Sequence, residues 1–378
     1  MNNKKSILCL VLIGFLTANT AAMAQCLPKK EKTLEAMMLA NDYFMKLWPD
    51  PAAVIVNDKT RTSNLWTRGV YYEGLMDLMK INNAASYLSY SLRWAEGNKW
   101  SLRFGTNSRH ADPMCAGQTY LDLYDLNPVP GHIAAIKTAV DGIVYSEKSD
   151  DWTWVDAIQM AMPAFAKLGV LEKNPKYWDR MFDLYLHTKN IEGGGLYNTK
   201  EHLWWRDKDF VPPYTTPNGK NCYWSRGNGW VIAALVRTMD LLPEDSPYYA
   251  EFMKTYLEMM DALLPLQRKD GFWNVSLTDP KDYGGPELSG TALFVYGYAW
   301  GINKGIFTDK KYKKAAVKGW NAMTKKCLRP DGSLGYVQST GKEPKDGQPL
   351  SYDKMPNFQD YGLGCYLLAG KQIYDMGK

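Results

Sequence analysis

The chain has 378 residues and a formal net charge of +5, with acidic and basic residues interspersed, so it lacks the basic face of a nucleic-acid-binding protein. Its 14 Trp and 25 Tyr are many for this length, and flat amphipathic rings suit sugar faces as well as packed cores. No Ser/Gly/Pro-rich linker or low-complexity stretch divides the chain. We therefore expect one folded domain and no nucleic-acid partner.

The N-terminus has the order of features found in signal peptides. Two lysines precede an apolar run over residues 7–16, which leads to an Ala-Met-Ala sequence ending at Ala24. The run is shorter than the roughly 20 residues of a membrane-spanning helix. We expect residues 1–24 to be a cleaved signal peptide and residues 25–378 to form a single domain that acts in the periplasm or outside the cell.

Cysteine usage indicates neither a metal site nor a defined disulfide. Cys26 would permit a lipoprotein anchor, but Gln25 stands where a small residue normally precedes the lipidated cysteine, so we favour simple cleavage after Ala24. The remaining cysteines of the mature chain show no CxxC or Cys/His spacing, and either buried thiols or one disulfide fits them: Cys115, Cys222, Cys327 and Cys365.

Amphipathic segments alternate along the chain with segments that are apolar on all sides. Residues 32–48 and 175–189 carry one apolar stripe each, as outer helices do, whereas residues 230–242 and 291–300 are rich in Ala, Gly and aromatic residues and belong inside. Six inner helices and six outer helices in alternation predict an all-α (α/α)6 toroid. The six inner segments begin near Trp66, Ala111, Trp154, Ser225, Pro286 and Gln359.

The longest intervals between the inner segments contain loops rich in glycine and aromatic residues. These loops cover residues 191–224 and 270–286, and loops longer than about 15 residues in a compact domain are usually functional. Each inner segment also opens with polar or aromatic residues before it turns apolar. We therefore expect a functional site at one rim of the toroid, under these loops.

Two aspartates stand at the heads of neighbouring inner segments. Asp156 follows Trp154 in the sequence WTWVDAIQ, and Asp112 heads the preceding inner segment in HADPMCAG. Adjacent helices of a ring bring their heads together, so the two carboxylates could face each other across the mouth as a glycosidase pair. Capping of the helix starts is the alternative role for both aspartates.

Residues 223–230 have the unusual sequence YWSRGNGW. Its glycines allow close approach of a backbone or a ligand at a helix start, and Arg226 could then bind a carboxylate through both arms of its guanidinium. Asn228 and Trp230 stand beside it as further candidates for substrate binding. The alternative is an Arg226 that pairs with an acidic residue of the protein.

A second aromatic and cationic group lies in the loop after the third inner segment. In the sequence LWWRD, Trp205 and Arg206 could form a platform for a sugar with a cation beside it, or the aromatic rings could close the core. The four histidines show no HExxH pattern, so surface or packing roles fit them better than metal binding.

Five motifs, in order, resemble those of glycoside hydrolase family 105, the unsaturated uronyl hydrolases. The resemblance covers nearly all of the mature chain. It implies an (α/α)6 barrel that needs no cofactor or metal and acts on oligosaccharides left by polysaccharide lyases, such as fragments of pectic rhamnogalacturonan. The motifs are WVD at 154–156, RGNGW at 226–230, GFWNV at 271–275, PELSGTA at 286–292 and DYGLGCYLLA at 360–369.

The resemblance also implies roles for individual residues. Asp156 would be the catalytic acid/base, protonating carbon 4 of a 4,5-unsaturated uronic acid while water adds at carbon 5. Asp112 matches the second acidic position, and Arg226 and Trp230 match binding positions. Arg206 is a departure, because many relatives have a histidine at that point of the loop.

Two other functions fit the same sequence. The related family 88 favours unsaturated glucuronyl residues, and a non-catalytic glycan-binding protein would also be helical, aromatic-rich and exported. The aspartates at two helix heads, Asp112 and Asp156, favour an enzyme. We expect a monomer whose partner is an oligosaccharide.

Overall fold

The computed structural model describes residues 27–56, 59–353 and 360–377, and in these ranges the chain forms twelve α-helices and two short antiparallel strand pairs. The predicted signal peptide and Cys26 lie outside the described residues. The strands are β1 (Ile55–Val56), β2 (Thr60–Arg61), β3 (Tyr197–Asn198) and β4 (Leu203–Trp204).

The helices alternate between an outer layer with odd numbers and an inner layer with even numbers. In chain order they are α1 (Lys30–Leu47), α2 (Trp66–Met79), α3 (Ala85–Gly97), α4 (Asp112–Leu126), α5 (Pro130–Val144), α6 (Val155–Leu171), α7 (Lys176–Asn190), α8 (Ser225–Met239), α9 (Pro247–Leu263), α10 (Leu288–Asn303), α11 (Lys310–Lys326) and α12 (Asp360–Met376).

The inner helices form a closed ring. Each even-numbered helix packs against the next one in the series, and α12 packs against α2. Every observed inner helix begins within two residues of its predicted start. The predicted (α/α)6 toroid is therefore confirmed.

The burial of the helices follows from their sequence patterns. Every residue of α10 from Leu288 to Gly301 is buried, as expected of a helix that is apolar on all sides. The outer helix α7 instead buries one stripe, which includes Met181, Leu184 and Tyr185. Ser246 caps α9 by accepting a hydrogen bond from the amide of Tyr249.

Glycines permit the closure of the ring between α2 and α12. A Cβ atom added to Gly364 would lie 2.1 Å from the carbonyl oxygen of Val70, and one added to Gly74 would lie 2.5 Å from the carbonyl oxygen of Gly364. Separations this short are not tolerated between non-bonded atoms. Glycine is therefore required on both helices at the point where they cross.

A polar cluster lies buried in the centre of the ring. The carboxylate of Glu73 accepts hydrogen bonds from Gln159 Nε2 at 2.8 Å and from the thiol of Cys115 at 3.3 Å, and Nε of Arg237 lies 3.9 Å away. Burial raises the pKa of Glu73 to about 7, although the charge of Arg237 opposes the shift. The interior of the ring thus contains a carboxyl group that titrates near neutrality.

This pKa predicts how Glu73 changes the stability with pH. Because the folded chain binds the Glu73 proton more tightly than the unfolded chain, where the pKa is near 4.5, stability should fall as the pH rises from 4.5 to about 7. In Glu73→Gln the pH-dependent contribution of this carboxyl should disappear. The difference in unfolding free energy between the wild type and Glu73→Gln should therefore change by about 2–3 kcal/mol between pH 4.5 and pH 7. Urea unfolding at a series of pH values measures it. A difference that stays constant with pH would contradict the prediction.

Two further sequence expectations concern the membrane and the cysteines. Within the part of the chain that the structure describes, no helix combines the length and apolarity needed to cross a bilayer. The four cysteines in the described ranges are buried free thiols, so no disulfide joins them: Cys115, Cys222, Cys327 and Cys365.

Candidate active site

The starts of the inner helices meet at one rim of the toroid. The rings of Trp66 and Trp230, at the starts of α2 and α8, lie edge to face with centroids 6.2 Å apart. Tyr361 at the start of α12 is 5.3 Å from Trp66. On the neighbouring side, the ring of His110 is 4.9 Å from Trp154, just before α4 and α6. The rim therefore gathers the polar and aromatic residues that open each inner helix.

The long loop between α7 and α8 lies over this rim. The amide of Val155 donates a 2.9 Å hydrogen bond to the carbonyl oxygen of Arg206, and Trp154 forms an isolated antiparallel bridge with Asp207. This backbone pairing fixes Arg206 directly above the start of α6. The loop was expected to cover a functional rim, and it does cover the start of the helix that bears Asp156.

Asp156 forms an ion pair with Arg206. Its Oδ2 accepts a 3.0 Å hydrogen bond from Arg206 Nε, and its side chain is 13% exposed. Arg206 Nη1 donates to Asp207 Oδ2 at 2.6 Å, so two carboxylates hold one guanidinium. Burial lowers the pKa of Arg206, but the charges of Asp156 and Asp207 outweigh it and leave that pKa above its usual value. Arg206 is thus a fixed cation in the mouth.

Asp112 is the second carboxylate of the mouth. Burial raises its pKa to about 6, the charge of His110 opposes the shift, and the charge of Asp156 adds to it. The amide of Asp112 donates to Nδ1 of His110 at 3.2 Å. Asp112 is therefore within electrostatic range of both Asp156 and Arg206, and it can bind and release a proton near pH 6.

Arg226 lies in the interior and not at the exposed rim. Its Nη1 donates to the hydroxyl of Tyr361 at 2.8 Å and to Oε1 of Gln338 at 3.2 Å, and its Nη2 donates to the carbonyl oxygen of Ser339 at 2.9 Å. The guanidinium also stacks on Trp224 and is 1% exposed. Because protein acceptors occupy both of its terminal nitrogens, the expected bidentate grip on a substrate carboxylate does not fit this placement. Its role in binding stays a prediction.

The other three binding candidates near this loop are also buried. Asn228 Oδ1 accepts from the amide of Trp204 at 2.8 Å, and its Nδ2 donates to the carbonyl oxygen of Trp204 at 3.0 Å, so Asn228 holds the loop. Trp230 is fully buried, and Trp205 packs against Tyr223 with centroids 5.7 Å apart. These side chains support the mouth from below, whereas Trp154 is partly exposed within it.

Sequence reasoning missed three residues of the mouth. His110 was assigned a surface or packing role, although it stands two residues before Asp112 and contacts that residue. Trp66 was used only to mark a helix start, and Asp207 was not considered. The signal for Asp207 was its position next to Arg206, since adjacent opposite charges in a loop can pair. Within the described residues no cluster of His, Cys, Asp and Glu could hold a metal, and independence from cofactors stays a prediction.

A helical toroid with paired carboxylates and aromatic rings in its mouth defines a class of carbohydrate-active enzymes. Residues 36–376 match the model of Glycosyl Hydrolase Family 88. The chain belongs to this family and is a glycosidase.

Individual relatives cover most of the chain. It is similar to an unsaturated 3S-rhamnoglycuronyl hydrolase of Formosa agariphila, with 32% identity over 82% of this chain and 84% of that protein. A solved family 88 hydrolase from Bacteroides vulgatus has a TM-score of 0.83 and 31% identity, covering 92% of this chain and 99% of its own. A solved polysaccharide lyase has a TM-score of 0.82 and 29% identity, and the match covers 91% of this chain and 97% of the lyase chain.

The roles of the two carboxylates can be separated by substitution. Asp156→Asn should lower kcat by about 100- to 10,000-fold, because an amide can neither give nor take the proton. Asp112→Asn should lose less of its kcat than Asp156→Asn if Asp112 supports the reaction through Asp156. Both variants should fold, which thermal unfolding checks. Turnover of Asp156→Asn near that of the wild type would remove Asp156 from the mechanism.

The raised pKa of Asp112 predicts a pH dependence of the reaction. Asp112 has to hold a proton for the pair to act as an acid, and it loses that proton as the pH rises through about 6. The value of kcat/KM, which reports the free enzyme, should therefore fall above about pH 6. In Asp112→Asn, kcat/KM should no longer fall near pH 6, because the group that titrates there is gone. An identical pH profile in that variant would contradict the assignment.

Proposed function

We propose that the protein removes a 4,5-unsaturated uronic acid from the non-reducing end of oligosaccharides that polysaccharide lyases produce. The carboxyl pair of Asp112 and Asp156, held beside the fixed cation Arg206, is the observation that carries this proposal. Asp112 holds a proton up to about pH 6, and the cation suits an anionic sugar. Membership of family 88 and the activity named for the Formosa agariphila relative point the same way.

The proposed chemistry is the hydration of an enol ether. Asp156 gives a proton to carbon 4, and water adds to carbon 5, from which the carboxyl group takes a proton back. The resulting hemiketal opens to a ketone at carbon 5 and leaves a hemiacetal at carbon 1. Breakdown of this hemiacetal to an aldehyde releases the next sugar as a free alcohol. An enol ether is activated enough that a proton donor and water suffice, which is why we expect no cofactor. Asp112 supports the reaction by keeping the proton within the pair.

The sugar next to the uronic acid is proposed to be rhamnose. The name of the Formosa agariphila relative contains this sugar, and the motifs RGNGW and PELSGTA resemble the rhamnogalacturonyl hydrolases of family 105. A glucuronyl residue of a glycosaminoglycan is the alternative within family 88. We further propose a monomeric single-domain enzyme, exported by the signal peptide of residues 1–24 and active in the periplasm or outside the cell.

A lyase is the second candidate reaction. The solved polysaccharide lyase with 29% identity and a TM-score of 0.82 favours it, because the two chains share most of their length. A lyase would remove a proton from carbon 5 of a saturated uronic acid and create the double bond. The hydrolase consumes that bond. The two reactions therefore change the ultraviolet absorbance of the double bond in opposite directions.

The test uses residues 25–378 with three compounds. An unsaturated uronyl-rhamnose disaccharide and an unsaturated glycosaminoglycan disaccharide should both be offered, together with an intact oligosaccharide that alternates rhamnose and uronic acid. We expect absorbance to fall fastest with the rhamnose disaccharide and to stay constant with Asp156→Asn. A faster fall with the glycosaminoglycan disaccharide would assign glycosaminoglycan fragments as the substrate instead. A rise in absorbance with the intact oligosaccharide would identify a lyase instead.

A further inference from the structure

The loop that carries Arg206 is held at several points. The amide of Trp205 donates to the carbonyl oxygen of Leu196, and Asn228 binds both backbone groups of the preceding residue, Trp204. The amide of Asp209 donates to Asp207 Oδ1 at 2.9 Å, which leaves Oδ2 of Asp207 for Arg206. Arg206 is therefore fixed through its own backbone and through the residue that follows it.

The guanidinium of Arg206 is only partly used by the protein. Its Nε donates to Asp156 and its Nη1 to Asp207, and the side chain is 21% exposed. Among the residues that the structure describes, none accepts a hydrogen bond from Nη2. Since the guanidinium is planar and its donors point in fixed directions, the two ion pairs also fix the direction of Nη2.

Two further basic groups reach the same part of the mouth as this guanidinium, whose own charge is shared between Asp156 and Asp207. Arg206 is the cation in direct contact with Asp156, and Arg103 and His110 are the other basic groups whose charges reach Asp112. By contrast, Arg226 directs both terminal nitrogens at protein acceptors and is 1% exposed. Arg206 thus combines exposure, a free donor and a fixed position.

We propose that Arg206 binds the carboxylate of the terminal unsaturated uronic acid through Nη2, while Nε continues to orient Asp156. This inference rests on the proposed function. In such a sugar the carboxylate is attached to carbon 5, and Asp156 acts at the adjacent carbon 4. One rigid guanidinium that contacts both groups would set the distance between the acid and the carbon that it protonates. Arg206 is then both a binding residue and the positioning residue for Asp156.

The experiment removes each partner of the proposed contact in turn. Arg206→Gln removes the cation, and the methyl ester of the unsaturated disaccharide removes the carboxylate charge. On the free acid, Arg206→Gln should lower kcat/KM by about 100-fold or more, because a charge-assisted hydrogen bond and the orientation of Asp156 are both lost. On the methyl ester the loss of kcat/KM caused by the same substitution should be smaller by a factor of at least about 10, since the carboxylate contact is already absent.

A matched control separates this effect from the general loss of an arginine. Arg268 also donates its Nε to an aspartate, Asp270, at 3.0 Å and is 29% exposed, but its side-chain partners are Asp270 and Asn274 and not the carboxylates of the mouth. Arg268→Gln should show the wild-type ratio of free acid to methyl ester. Arg206→Lys should recover part of the preference for the free acid but little of kcat, because an ammonium group lacks the rigid planar fork that orients Asp156.

The outcomes distinguish this inference from the proposed function. If Arg206→Gln loses the same factor on both compounds, Arg206 does not bind the carboxylate and the inference is wrong. If the wild type leaves the double bond intact, the proposed function fails, and calorimetric titration of the same two compounds then decides the role of Arg206 without turnover. A preference of the wild type for the free acid that is lost in Arg206→Gln supports the contact. An unchanged preference, or no binding at all, overturns it.

Discussion

Closure of the inner ring is the constraint on which the rest of the structure depends. The inner helices are apolar on every side, so each one needs a neighbour on both flanks, and an open row would leave two of them exposed. The contact between α2 and α12 removes both ends of the row. Gly74 and Gly364 make that contact possible because no side chain fits between the helices there. Two positions far apart in sequence thus complete the core.

The ring also determines where the chemistry can occur. All inner helices start at the same rim, so the positive ends of their dipoles face one mouth, which suits an anionic ligand. The carboxylates at the heads of α4 and α6 are neighbours for the same reason. Burial raises the pKa of Asp112, and the neighbouring charge of Asp156 adds to the shift. Arg206 balances this charge from the loop above. The acidity of the mouth is therefore a property of the packing as much as of the individual residues.

Much of this arrangement could be predicted from sequence, because it depends on local patterns. Segments that are apolar on all sides located all six inner helices, and position at a helix head located Asp112 and Asp156. Arg226 could not be placed correctly from its neighbours, since its partners Gln338 and Ser339 lie more than 100 residues away. The pairing of Arg206 with Asp156 spans 50 residues and depends on how a loop folds over a helix start. Neither contact leaves a periodic signal.

The hydrogen bonds of Asn228 to the backbone of Trp204 have a consequence for the comparison of relatives. They join the start of α8 to the loop, two residues before Arg206, so the helix start and the loop cannot vary independently. A different residue at position 228 would release the loop and displace Arg206 without any substitution among the residues of the mouth. Loop exchange between related enzymes must therefore carry Asn228 along with the loop. For protein engineering, these two distant pieces of sequence are one transferable unit.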